Sequence, residues 1–305
     1  MLAFSPEGDA LRVAISAAIA MLAFAANSVL ARLALGGSEM SAPGYTGVRM
    51  VAGALMLGAI LYLRARRQSE AHFEINGSWR AAAALLGYAL AFSIAYLMVG
   101  AGTGALVLFA SVQIGMLAWA IIKGDRPGPL EWLGFAIAFA ALVYLVSPGL
   151  VAPSLLGTLL MVAAGLSWAA YSILGQGSRS PLADTAGNFI RCLPFGIVLI
   201  ASADMGQMSG LGVFYAIASG AIASGLGYAI WYSVLPSLKR TSAAFIQLTV
   251  PAIAAAGGVL LIGEPLSARL LIASAGILSG VALALLAAHW RGGRRQDQAV
   301  PPQRP

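Results

Sequence analysis

The sequence predicts an all-α membrane protein with ten transmembrane helices, arranged as two inverted five-helix repeats around a central cavity. Three observations lead to this fold class. The 305 residues are 60% hydrophobic and only 10% charged, with a mean hydropathy of +0.86, whereas soluble domains carry about 25% charged residues. Long uncharged runs recur along the whole chain, and landmarks of its first half return in the same order in its second half.

Composition excludes a cytosolic enzyme, a disordered chain and a nucleic-acid-binding domain. A net charge of +7 would suggest a nucleic-acid partner in a soluble protein, but membrane proteins place Lys and Arg on their cytoplasmic loops. Cys192 is the single cysteine, so we expect neither a disulfide framework nor a thiolate metal site. No buried Ser–His or Asp–Asp pair is evident either, so we expect no catalytic residue, metal or cofactor.

Apolar runs long enough to cross a bilayer core, which takes about 20 residues per helix, follow one another along the chain. Two of them, Ala81–Ile122 and Trp132–Ser178, are too long for one helix. They break at Gly100–Gly104 and Ser147–Gly149, which are typical turn sequences, so each gives two spans. The other six spans are Val13–Ala31, Met40–Leu63, Thr185–Ala203, Gly210–Leu235, Ser242–Gly263 and Leu270–Ala288.

The basic residues predict that both termini are cytoplasmic. With the N-terminus inside, only Arg32 and Arg269 fall on the opposite side, and Arg49 and Arg191 fall within spans. Cytoplasmic loops of membrane proteins carry the excess of Lys and Arg. The other fourteen basic residues fall on cytoplasmic segments: Arg12, Arg64, Arg66, Arg67, Arg80, Lys123, Arg126, Arg179, Lys239, Arg240, Arg291, Arg294, Arg295 and Arg304.

An internal repeat divides the chain into two halves. Phe24–Arg32 in span 1 aligns with Trp168–Gln176 in span 6, with four identities. Chance similarity of Ala- and Leu-rich helices is the alternative, but three more landmarks keep the same order: one arginine in the next span (Arg49, Arg191), Thr103–Ala105 against Thr241–Ala243, and Gly124-Asp125 against Gly263-Glu264.

Each half contains five spans, in residues 1–149 and 150–290. The odd number forces the halves into opposite orientations, an arrangement that places a substrate site between them at the midplane. Residues 291–305 are rich in Gly, Arg, Gln and Pro, which predicts a disordered cytoplasmic tail.

These landmarks resemble the drug/metabolite transporter superfamily, EamA type. The resemblance covers about residues 10–290 and includes Pro251 thirteen residues before Glu264. Val112 stands where the pattern often has Pro, and Asp125 where it has Glu. Within the family the chain is most similar to bacterial aromatic amino acid exporters.

The resemblance implies a transporter of the bacterial inner membrane and not an enzyme. Its partners would be amino acids, aromatic and others, and the lipid bilayer, and it would work by alternating access as a monomer or homodimer. None of the eleven Asp and Glu lies inside a predicted span, whereas proton-coupled exporters generally need such a group. Facilitated diffusion is therefore expected. The alternatives are export of another small metabolite or drug, and proton antiport through a carboxylate at the cavity mouth.

Arg49 and Arg191 are the charged residues inside predicted spans, where a charge costs about 2.5–3.5 kcal/mol. One hypothesis is that a guanidinium binds a substrate carboxylate. The other, which we prefer because the family carries this arginine with unlike substrates, is that each arginine ties its helix to carbonyl groups of a neighbour. Pro251 is expected to break a backbone hydrogen bond in span 9 and to form a hinge or polar notch.

Polar and aromatic side chains inside the spans are the candidates for substrate binding. Trp168 and Tyr171, three residues apart, share one face of span 6, and their repeat partners Phe24 and Asn27 share the matching face of span 1. Polar candidates for the ammonium and carboxylate of a zwitterion are Asn27, Ser28, Gln113, Ser172, Asn188 and Gln247. Candidate aromatic walls are Tyr88, Tyr96, Trp119, Trp168, Tyr171, Tyr228, Trp231 and Tyr232.

Overall fold

The computed structural model describes residues 6–67, 75–124, 126–146, 153–238 and 246–299, and these residues form helices joined by short loops, without a strand among them. A 3₁₀ turn, Met205–Gln207, precedes the eighth helix. The helices are α1 (Pro6–Gly36), α2 (Ala42–Arg67), α3 (Trp79–Ala95), α4 (Ala101–Ile122), α5 (Pro129–Val146), α6 (Leu155–Leu174), α7 (Pro181–Ala201), α8 (Gly210–Ser237), α9 (Thr249–Ile262) and α10 (Ala268–Ala299).

Seven helices in the described part of the chain are long and apolar enough to cross a membrane. The other three, α3, α5 and α9, are shorter apolar helices, and they lie where the sequence predicts the third, fifth and ninth spans. The protein is therefore an all-helical, multi-pass membrane protein, while the count of ten spans stays a prediction.

The helices pair in a regular pattern. Helix α2 packs along α7, and α5 packs along α10. Helix α6 packs against α3 and α4, and α1 packs against α8 and α9. Exchanging every helix for the one five places away leaves this set of pairs unchanged.

The α5–α10 pair shows how closely these helices approach. A Cβ atom on Gly280 would lie 2.6 Å from the carbonyl oxygen of Gly134, and one on Gly276 would lie 2.6 Å from the Ala141 Cβ. Small residues let helix backbones touch in this way, which is a common packing mode in membranes. The pair therefore depends on its glycines.

Helices α8 and α9 change their winding within the bundle. Ala218–Leu226 of α8 and Gly258–Ile262 of α9 are π-helical, a rare form that occurs frequently at functional sites. At the end of α9, Gly263 has a left-handed φ of 73°, which glycine adopts without steric cost. Glu264 follows, and its amide donates to the Gly258 carbonyl at 3.0 Å.

Pro251 lies in the first turn of α9, and residues 246 and 247 just before this helix are also helical, so the hinge or polar notch expected at Pro251 stays a prediction. One feature differs from the sequence-based expectations. Helix α10 continues to Ala299, whereas disorder was expected from Arg291; arginine and glutamine are good helix formers. The turn Ser147–Gly149, Asp125, the landmark Thr241–Ala243 and the last residues, 300–305, lie outside the described residues.

Candidate substrate cavity

A cavity of about 50 Å³ lies in the middle of the bundle and adjoins a vestibule of about 370 Å³. Four residues stand at the boundary and line both spaces: Phe24, Trp168, Tyr228 and Gln247. The rest of the inner cavity is lined by Asn27, Ser28, Tyr88, Phe92, Leu108, Phe109 and Val112.

Trp168 is the centre of an aromatic cluster in the cavity wall. Its ring centroid lies 4.8 Å from that of Tyr88, 5.2 Å from Tyr171 and 5.8 Å from Tyr228. Phe24 packs on Tyr228 at 5.4 Å. These separations are those of favourable aromatic pairs. The cluster joins α1, α3, α6 and α8 around the cavity and gives it a flat, apolar lining.

The polar groups in the lining of the inner cavity include Asn27 and Ser28 of α1, Tyr88 of α3 and Gln247 just before α9. Asn27 accepts two hydrogen bonds at Oδ1, from Ser219 Oγ at 2.7 Å and from Ser224 Oγ at 3.2 Å. The two serines are five residues apart in the π segment of α8, a spacing that places them on one face of a π-helix. The irregular winding of α8 therefore positions Asn27.

Arg49 lies behind the inner cavity and not in its lining. Its side chain is 1% exposed. Nη2 donates to Tyr88 Oη at 3.1 Å, and Cζ lies 4.9 Å from the ring centroid of Phe92. Nε and Nη1 are buried without a hydrogen-bond partner. Among the described residues, no carboxylate lies within 4.0 Å of this guanidinium.

The vestibule has a polar wall built from α6, α7 and α8. Tyr171 Oη donates to Thr185 Oγ1 at 3.2 Å, and Thr185 Oγ1 donates to Tyr232 Oη at 3.4 Å. Asn188 Nδ2 also reaches Tyr171 Oη, at 3.5 Å. The carboxylate of Asp184 lies beside this network in the vestibule lining. The vestibule thus offers hydroxyl, amide and carboxylate groups next to the aromatic cluster.

Helix α7 also holds the segment that leads into α3. Asp184 Oδ1 accepts from Gly77 N at 3.1 Å, and Asn188 Oδ1 accepts from Ser78 N at 2.9 Å. Arg191 Nη1 donates to the carbonyls of Asn76 at 2.6 Å and Gly187 at 2.9 Å. The polar side chains of one face of α7 therefore fix a loop at the vestibule end of the protein.

The opposite end of the cavity is closed by a latch, which we define as Arg32, Glu264 and the first amide of α4. Arg32 Nε lies 3.3 Å from Glu264 Oε1, and Ala101 N donates to both carboxylate oxygens, at 2.9 and 2.8 Å. A carboxylate is stabilised at a helix N-terminus by free amides and the helix dipole. The latch joins α1 and α4 of the first half to the α9–α10 loop of the second.

A second contact closes the same end. Ser209, just before α8, donates from its amide to the Glu39 carbonyl at 2.9 Å and from its hydroxyl to Glu39 Oε2 at 2.6 Å. Glu39 lies in the loop between α1 and α2. The vestibule end carries the contacts of Asp184 and Arg191, so polar contacts hold both ends of the described bundle.

The structure brings together eleven of the fourteen candidates named from the sequence. Five of them line the cavity, the vestibule or both: Asn27, Trp168, Tyr171, Tyr228 and Gln247. The polar candidates Ser28, Ser172 and Asn188 and the aromatic candidates Tyr88, Trp231 and Tyr232 also lie in these walls.

Three predicted residues lie elsewhere. Tyr96 is fully buried beside the latch, where its hydroxyl donates to the Ala101 carbonyl at 3.4 Å. Gln113 lines a separate, apolar pocket between α4, α5 and α10. Trp119 is 36% exposed, and the Lys123 ammonium packs on its ring at 4.8 Å. The sequence showed that α4 is apolar all round, so it gave no indication of which face turns to the cavity.

Sequence reasoning missed several lining residues. Phe92 lies four residues after Tyr88, a helical spacing that places both rings on one face, and this signal was available. Asp184 precedes the predicted start of span 7 by one residue, and the structure places it in the first turn of α7. Phe109 and Leu108 had no signal, because one apolar residue among many in α4 does not reveal its direction.

A cavity between the helices of a multi-pass bundle, with a latch at one end, is typical of membrane transport proteins. The model of the EamA-like transporter family matches residues 11–147 and again residues 155–286. The chain therefore belongs to the EamA-like transporter family.

Several known proteins are similar to the chain. An uncharacterized protein of Pseudomonas aeruginosa is 48% identical, over 88% of this chain and 92% of its own. The uncharacterized inner membrane transporter YedA of Escherichia coli is 30% identical, over 72% and 74%. A probable amino-acid metabolite efflux pump of Escherichia coli is 26% identical, over 68% and 78%. A solved crystal structure has the same fold, with a TM-score of 0.61 at 19% identity over 90% of this chain and 98% of that one. The family and the relatives with a named activity are transporters of small molecules, not enzymes.

Proposed function

We propose that this transporter exports amino acids, the aromatic ones among a broader set, across the bacterial inner membrane by alternating access. The observation that carries the proposal is the cavity itself, in which an aromatic cluster around Trp168 adjoins a polar vestibule. An amino acid presents the matching groups, an apolar side chain and two charged ends. The similarity to a probable amino-acid metabolite efflux pump supports this substrate class.

We propose further that all ten helices cross the membrane as two inverted repeats of five. The pairs α2–α7 and α5–α10 support this arrangement, because each is unchanged when every helix is exchanged for the one five places away, and the packing of α6 on α3 and α4 corresponds to that of α1 on α8 and α9. The two matches of the family model, one in each half, support it as well. With both termini in the cytoplasm, the vestibule faces the cytoplasm, which is where an exporter loads its substrate.

The latch is the proposed gate on the other side. Glu264 joins the α9–α10 loop to α1 and α4 through one ion pair and two amide contacts, so separating the two halves at this end requires these contacts to break. Both side chains of the ion pair are partly exposed, at 26% and 18%, and partly exposed ion pairs are weak enough to open repeatedly. Opening of the latch and closure of the vestibule would complete the transport cycle.

Transport down the substrate gradient is the proposed mode of energy use. Among the described residues, no Asp or Glu lines the inner cavity. The vestibule carboxylate, Asp184, accepts a hydrogen bond from Gly77 N, which ties it to the loop. The described cavity therefore offers no free carboxylate whose protonation would compete with substrate at the centre.

Counterflow in proteoliposomes tests the function. Liposomes loaded with unlabelled phenylalanine or threonine are diluted into the labelled amino acid, and uptake is compared with that of protein-free liposomes. We expect transient accumulation of both labels and no change when a pH gradient is imposed. Absence of counterflow for all twenty amino acids would overturn the substrate class, and uphill uptake driven by a pH gradient alone would overturn the mode of energy use.

A further inference from the structure

Two donors in the lining of the inner cavity are suited to bind an acceptor group, and Arg49 supports one of them from behind the lining. The guanidinium is 1% exposed and uses one of its three nitrogens, with Nη2 donating to Tyr88 Oη at 3.1 Å. Nε and Nη1 are buried without a partner. Buried charges in proteins are ordinarily paired, yet no carboxylate lies within 4.0 Å of this one in the described residues. In the described residues the guanidinium is compensated by the rings of Phe92 and Tyr88, whose centroids lie 4.9 and 5.3 Å from Cζ, and by no anion.

Tyr88 carries the influence of this charge to the cavity surface. Its oxygen accepts from Arg49, so its own O–H points away from the guanidinium, and its ring lines the inner cavity beside Trp168. Among the described residues, this hydroxyl makes no other hydrogen bond. A hydroxyl whose oxygen accepts from a cation is polarised and becomes a stronger donor. Tyr88 thus presents a strengthened donor at the cavity wall.

Asn27 supplies a second donor on the same wall. Both bonds from Ser219 and Ser224 end on its Oδ1, which fixes the amide and leaves Nδ2 as the group available to the cavity that Asn27 lines. The two serines lie in the π-helical segment of α8 and together fix the orientation of the Asn27 amide. Asn27 and Tyr88 therefore both offer donors, and the Arg49 charge lies directly behind Tyr88.

We infer that the Asn27–Tyr88 wall is a carboxylate subsite, in which Tyr88 and Asn27 donate to the substrate carboxylate and Arg49 compensates its charge from behind the wall. The inference rests on the proposed function and sharpens it. The substrate enters carboxylate first, and its apolar side chain lies on the Trp168 cluster. Arg49 acts here as a positioning residue that works through Tyr88.

The test uses two probes of nearly identical shape, 3-phenylpropionate and 3-phenylpropanamide, which differ in the charge of one end. Their affinities for the purified full chain in detergent are measured by isothermal titration calorimetry. We expect the carboxylate to bind at least about tenfold more tightly than the amide. In Tyr88→Phe, which keeps the ring and removes the donor, this preference should fall below about threefold.

Two control variants separate the subsite from general damage. Trp168→Ala should weaken both probes by the same factor, because it removes the ring contact and leaves the donors. Trp119→Phe, outside the cavity, should change neither affinity. Equal binding of the two probes by the wild type, or an unchanged preference in Tyr88→Phe, would overturn the subsite.

Counterflow of phenylalanine, measured in parallel, distinguishes this inference from the function on which it rests. A carboxylate preference without counterflow would support the subsite and contradict amino-acid transport. Counterflow without a preference would retain the function and remove the subsite. Failure of both probes to bind would overturn the subsite whatever the counterflow result.

Discussion

Arg49 of α2 and Arg191 of α7 occupy matching places in the two halves of the molecule, but their surroundings are opposite. Arg191 donates twice, to the carbonyls of Asn76 and Gly187, and fixes the loop before α3. Arg49 donates once, to a tyrosine hydroxyl in the cavity wall, and keeps two nitrogens unpartnered. One arginine is satisfied by the backbone, and the other is not.

The difference teaches that residues at matching positions of the two repeats can have different roles. The two hypotheses raised by the sequence divide between the two residues. The structural hypothesis describes the contacts of Arg191, and the substrate hypothesis agrees with the incomplete bonding of Arg49. A substitution series on the two residues and their neighbours tests this division.

The largest effect is expected from Arg49→Met. Replacing a buried charge by an apolar side chain of similar length is often neutral or stabilising for the fold, so the melting temperature in detergent should not fall. Counterflow of phenylalanine should drop by about tenfold or more, equivalent to about 1.4 kcal/mol of lost substrate stabilisation. A lower melting temperature with normal transport per folded molecule would show that Arg49, like Arg191, has a structural role and does not act on substrate.

Trp168→Ala should have the next largest effect, and a selective one. Loss of aromatic contacts worth about 0.5–1.5 kcal/mol should slow phenylalanine counterflow about two- to tenfold and leave threonine counterflow closer to wild type. Trp119→Ala, which removes a tryptophan from the surface of α4, is the matched control and should change neither rate. Equal losses for both amino acids in Trp168→Ala would show that the cluster does not contact the substrate side chain.

Arg191→Met should act on stability and hardly on transport. It leaves the carbonyl of Asn76 without its donor, at a cost of about 1–3 kcal/mol, and loosens the loop before α3. We expect a lower melting temperature and lower protein level, with counterflow per folded molecule within about twofold of wild type. A specific transport defect at unchanged melting temperature would show that Arg191 acts on transport, as Arg49 is expected to do.

Glu264→Gln should give the smallest change. The amide keeps an oxygen for the Ala101 amide but loses the ion pair with Arg32, and an exposed ion pair contributes about 1 kcal/mol or less. The latch should open more readily, so a cysteine placed at Ser28 should react faster with a thiol reagent applied from the latch side. An unchanged reaction rate would show that the ion pair does not hold this end closed.

The sequence predicted much of this molecule because its signals were periodic or compositional. Uncharged runs located the helices, and the three-residue spacing of Trp168 and Tyr171 placed both rings on the face that lines the cavity. Such patterns arise within one helix, so the sequence carries them directly.

The features that could not be predicted from the sequence are those that depend on contacts between helices. Val112 faces the cavity while its neighbour Gln113 faces another pocket, because the rotation of an apolar helix is set by its packing partners. The π segment of α8 places Ser219 and Ser224 where both donate to Asn27 in α1, a contact between helices distant in sequence. The latch likewise joins Arg32 to a residue more than two hundred positions away.

The position of the substrate path is tested most directly by two glutamines. Gln247 lines both the cavity and the vestibule, Gln113 lines the separate apolar pocket, and both are half-buried. The single native cysteine, Cys192, is buried, so Cys192→Ala gives a background without reactive thiols. We expect phenylalanine to slow the labelling of Gln247→Cys by a membrane-permeable maleimide several-fold and to leave Gln113→Cys unaffected. Protection of Gln113→Cys without protection of Gln247→Cys would place the substrate outside the cavity centred on Trp168.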